Sequence, residues 1–83
     1  MKNKITIEMI KQASKGWTDH QCVDILIEAS RMRTRLGSLS NMTTNLVPHV
    51  IDRKELYHAM NLADARIKYA KYRLYSLMVG EQE

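Results

Sequence analysis

The chain predicts an all-α fold. A short N-terminal helix packs on a long antiparallel helical hairpin, giving a three-helix bundle with coiled-coil-like pairing. Three observations carry this reading. First, two apolar rows step alternately by three and four residues, the spacing of a seam between packed helices. One is Cys22, Ile25, Ala29, Met32, Leu36, Leu39, Thr43 and Leu46; the other is Leu56, Met60, Ala63, Ile67, Ala70, Leu74 and Leu77. Second, folding the chain back at Pro48–Ile51 brings both rows into one register. Leu39 then faces Met60, Leu36 faces Ala63, Met32 faces Ile67, Ala29 faces Ala70, and Cys22 faces Leu77. Third, three helix starts share one local grammar of cap and hydrophobic staple.

The first helix is expected over about 7–15. Thr6 is its N-cap, Ile5 and Ile10 form the staple, and Gly16 offers a left-handed C-cap. The second helix is expected over about 19–46. Thr18 and Gln21 form a capping box, with Trp17 and Cys22 as the staple. Gly37 interrupts it, but the heptad continues through Leu39, Thr43 and Leu46, and an interior glycine costs only about 1 kcal/mol relative to alanine. A helix continuous through residue 37 is therefore preferred over one bent or broken there. Pro48 ends it by disfavouring helical angles at the preceding residue. The third helix is expected over about 53–79, with Asp52 and Glu55 as the box, Ile51 and Leu56 as the staple, and Gly80 as the stop. Residues 1–83 form a single helical domain.

The three-residue link after helix 1 predicts that this helix folds straight back onto helix 2. Its face of Ile7, Ile10 and Ala13 would cover Val23, Leu26 and Ile27, with Leu74 or Met78 of helix 3. Charges flanking the seam would add two attractive pairs, Arg33 with Asp64 and Glu28 with Arg73. Arg35 would face Arg66 repulsively.

Composition bounds the function. A core of 83 residues is marginal alone, since small cores supply only about 3–5 kcal/mol. One cysteine, Cys22, allows no internal disulfide and suits a reducing compartment. No secretory signal is legible and no apolar run nears the ~20 residues of a membrane span. The expectation is a cytoplasmic protein with no membrane partner. Thirteen Lys and Arg against nine Asp and Glu give a net charge of +4, which suits an acidic partner.

Catalytic patterns are missing from the sequence. His20, His49 and His58 share no ligand spacing, and no phosphate-binding glycine loop or nucleophile motif occurs. Asp24 and Glu28 lie on one helix face without the matching His and Glu that a helical metal site needs. The expectation is therefore no enzyme, no cofactor and no metal. What remains is binding. Arg31, Arg33, Arg35, Arg66 and Lys68 would form a basic band across the middle of the hairpin, a surface for an acidic protein or for nucleic acid. Tyr69, Tyr72 and Tyr75 are candidate aromatic anchors. Met42, Val47, Val50 and Leu62 lie outside the seam near the tip and suggest self-association, most simply a homodimer. The leading expectation is a small protein-binding regulator, adaptor or inhibitor, of the kind carried by phages and mobile elements. The alternative is a nucleic-acid-binding regulator using the basic band.

Overall fold

The computed structural model describes residues 5–45 and 53–80, with the side chains of 42–45 left out. Within them the chain forms three helices: α1 (Ile7–Ser14), α2 (Asp19–Asn45) and α3 (Arg53–Met78). The all-α bundle follows the expected order, with α2 and α3 packed along their length. The tip residues Val47 and Val50, the seam residue Leu46 and the Asp52 cap lie outside the described residues, as do the side chains of Met42 and Thr43.

The starts of α1 and α2 follow from their caps. The Met9 amide donates to Thr6 Oγ1 at 3.2 Å. At α2 the exchange is reciprocal. The Gln21 amide donates to Thr18 Oγ1 at 3.2 Å, and the Thr18 amide donates to Gln21 Oε1 at 2.9 Å. Two amide donors that α2 itself cannot satisfy are thereby paired. Helix α2 runs unbroken through Gly37. Helix α3 stops at Gly80, whose φ of +81° lies in the left-handed region that glycine enters without steric cost.

Gly16 behaves otherwise than expected. It does not take the left-handed cap; Gly80 alone has positive φ among the described residues. Helix α1 instead ends on Lys15 in right-handed geometry (φ −65°, ψ −24°). The Gly16 and Trp17 amides then donate back to Ala13 and Ser14 carbonyls at 3.0 and 3.2 Å. These bonds span three residues and tighten the last turn, satisfying carbonyls that a left-handed cap would otherwise serve.

The seam of the hairpin is built from small side chains. Cys22, Ala29, Ala63 and Ala70 are all buried, with Leu56 at the tip end. Ile25, Leu36, Leu39, Met60, Ile67, Leu74 and Leu77 are half-buried along the same line. Met32 departs from the expected seam, with 46% of its surface exposed. At its level the seam runs closer to Arg33, whose Nε donates to Asp64 Oδ1 at 3.0 Å. Of the two attractive pairs the register predicts, this is the one that forms among the described residues.

Helix α1 corrects a second expectation. It packs on α3 and makes no close backbone approach to α2 among the described residues. Val23 and Ile27, which it was expected to cover, stay nearly half exposed, and Met78 is 75% exposed. Its buried positions are Ile10 and Ser14, while Ile7 and Ala13 face out. Ser14 can be buried because its hydroxyl donates to the Lys11 carbonyl at 2.8 Å, which satisfies it locally. On α3, Ala65 is buried although it lies about 200° around the helix from Ala63. It therefore marks a second close approach, on the side away from α2. The three helices lie side by side in the order α2, α3, α1, in a flat layer with Cα extents of 48 × 29 × 13 Å.

Candidate functional site: two faces of a flat helical layer

A single layer leaves two broad faces open. Arg33 pairing with Asp64 fixes which side chains share a face. On the Asp64 side stand Lys68, Lys71 and Tyr75 of α3. On the opposite side stand Ile25, Glu28 and Met32 of α2 and Arg66 and Arg73 of α3.

The Asp64 side holds the larger groove, about 510 Å³, lined by Asp64, Ile67, Lys68, Lys71, Tyr72 and Tyr75. Spacing by three and four residues puts these side chains on one stripe of α3. Tyr72 and Tyr75 are 62% and 63% exposed, so they project from the layer instead of packing inside it. Tyr69 is half-buried, and Lys68 Nζ stands 5.6 Å from the centroid of its ring, within cation–π reach. Asp64, the one acid of the groove, is already matched by Arg33. Lys68 and Lys71 therefore give the groove a net positive edge beside two protruding phenols.

On the opposite side a groove of about 290 Å³ is lined by Ile25, Glu28, Ala29, Met32 and Arg66. It holds one acid and one base flanking three apolar side chains. Glu28 was expected beside Arg73. Instead Arg73 Nε donates to the Trp17 carbonyl at 3.0 Å, tying the α1–α2 link to α3. Trp17 lies in the link outside both helices, so no helical amide serves its carbonyl and the guanidinium supplies the donor.

The five residues of the basic band are distributed over the molecule. Arg31 and Arg35 line a shallow depression with Ser30 and Thr34 on the outer side of α2. Arg33 is held in its ion pair, Arg66 lies in the Glu28 groove, and Lys68 lies in the tyrosine groove. Arg35 and Arg66 line different grooves. Leu62, from the expected self-association set, is half-buried on α3. The pairing of Glu28 with Arg66 in one groove was missed by sequence reasoning. The available signal was the heptad itself, which sets positions 28 and 66 on the same flank of the seam.

Cys22 is fully buried, and its thiol pKa is raised. Burial is the main cause, with Arg73 lowering it and Asp19 raising it more weakly. Such a thiol is protonated at neutral pH and acts as a small apolar side chain. Among the described residues no cluster of three or more His, Cys, Asp or Glu stands close enough to hold a metal ion. No helix among them is long and apolar enough to cross a membrane. No protein-family model matches the chain, no curated protein shows significant similarity to it, and no solved structure matches it.

Proposed function

We propose that this chain is a non-enzymatic protein-binding module, a regulator, adaptor or inhibitor, that receives an acidic partner surface on the tyrosine groove of α3. One observation carries the reading. Tyr72 and Tyr75 project next to Lys68 and Lys71, while the only acid of the groove is neutralised from within the chain. Tyrosine offers a large apolar surface with a polar tip and loses little rotamer freedom on binding, which makes it a frequent interface anchor. Lysines at the edge steer an acidic partner and fix its orientation. Nucleic acid is the less favoured ligand. A phosphate backbone calls for a continuous basic track, and the basic residues here are split over separate depressions.

The test places a photo-crosslinking phenylalanine derivative at position 72 in the native host. A discrete adduct with another protein is expected. Tyr72→Ala and Tyr75→Ala should each weaken binding of that protein about tenfold or more, equivalent to about 1.4 kcal/mol. Adducts with nucleic acid, together with steeply salt-dependent binding to generic DNA or RNA, would overturn the proposal.

A further inference from the structure

We propose that the Glu28–Arg66 face is the interface with a second copy of this chain. The first argument is the inversion of the core. Among the described residues, the only large apolar side chains buried are Ile10 and Leu56, and the largest side chain with no exposure at all is Cys22. Eleven large hydrophobic residues among those described stand exposed, so the apolar content faces outward in a way a lone small domain cannot easily sustain.

The helices also leave a layer uncovered. Domains are ordinarily built from at least two packed layers, and the described helices form one, with α1 and α2 both packed on α3.

The third argument selects the face and the occupant. A two-fold interface brings one patch against itself, so residue i meets j and j meets i. The tyrosine groove fits this poorly, because with Asp64 paired to Arg33 its lysines leave a net positive edge that would face its own copy. The opposite groove meets it. Glu28 and Arg66 line the same depression around Ile25 and Met32, yet form no ion pair with each other within the chain. Across a two-fold axis, Glu28 of one copy can meet Arg66 of the other, twice. Met32, a seam position that the single chain leaves exposed, is then covered, and methionine adapts well to such a joint. This assignment uses the face away from the tyrosine groove and stands or falls independently of the function proposed for that groove.

The experiment is sedimentation equilibrium of the full chain and its variants from about 1 to 500 μM. The wild type should sediment at twice the 9.7 kDa chain mass at the upper end. Glu28→Arg and Arg66→Glu, each placing like charges across the axis, should raise the dissociation constant tenfold or more. The double variant with both substitutions should recover most of that loss, because the pairs reform with reversed sign. Met32→Glu should raise it further than either single charge change. Lys68→Glu, on the tyrosine groove, should leave it unchanged. Circular dichroism checks that each variant keeps its helices. If Met32→Glu loses helicity, the charge series alone decides. A monomer throughout the range, a dimer indifferent to the single charge changes, or a double variant as weak as the singles would each overturn the assignment.

Discussion

Gly37→Ala tests whether α2 is a single helix through its centre. An interior glycine costs about 0.8–1.0 kcal/mol relative to alanine, mostly through backbone entropy. The gain from replacing it depends on what the added methyl meets. A Cβ built on Gly37 lies 3.3 Å from Arg33 Nη1, on the guanidinium that also holds Asp64. The neighbour must recede by a few tenths of an ångström. Rotation about the Arg33 Cδ–Nε bond moves Nη1 while leaving Nε in place opposite Asp64. The ion pair is partly solvated, with side chains 36% and 55% exposed, so weakening it costs well under 1 kcal/mol. The net expectation is stabilisation by about 0.5–1 kcal/mol, or about 2–8 °C in Tm for a domain of this size. Chemical denaturation at one fixed protein concentration measures it. Repeating the substitution in an Arg33→Ala background should release the full helix gain, and the difference between backgrounds should stay below about 0.5 kcal/mol. Destabilisation by Gly37→Ala in both backgrounds would refute the reasoning, because it would mean that residue 37 is not helical in solution.

Two further outcomes follow from the seam. Ala70 has no exposed surface and lies on the small-residue part of the seam with Ala29 and Ala63, so Ala70→Leu should cost about 1–3 kcal/mol by overpacking; an unchanged urea midpoint would contradict the seam. Cys22 should react with a thiol reagent at least a hundredfold more slowly in the native protein than in urea, and rapid labelling of the folded chain would contradict its burial. Its raised pKa also sets a sign for stability. The unfolded chain releases the thiol proton near the ordinary value of 9.0, whereas the folded chain holds it to higher pH. Stability should therefore fall as pH rises past 9, and Cys22→Ala should remove that contribution.

The parts legible in the sequence were those set by short spans. The Thr18–Gln21 box and the Thr6 cap are decided within four residues, so local chemistry suffices. The hairpin register was legible because two long rows must agree at every turn, and Arg33–Asp64 forms where they do. The docking of α1 was not. Eight residues give barely two turns, too few for an apolar stripe to name a partner, and Ser14 enters the buried side through a hydrogen bond that composition does not reveal. Arg73 was misread for a related reason. One partner it takes is a backbone carbonyl, which every residue carries and no sequence pattern singles out. The basic band follows from level along the hairpin, whereas the described grooves set Lys68 on one face of α3 and Arg66 on the other.

The side-by-side order of the helices gives the molecule two grades of cohesion. Because among the described residues α1 packs on α3 and not on α2, it can peel away without unzipping α2 from α3, restrained chiefly by Ile10, Ser14 and the strap from Arg73 to Trp17. Amide protons in α1 should therefore exchange by a local opening, while those around Ala63 and Ala70 wait for the hairpin itself to come apart. In evolutionary terms the hairpin is the chassis. A lineage could trim or replace α1 at modest cost, but a change at the alanines of α3 would reach both of its neighbours at once.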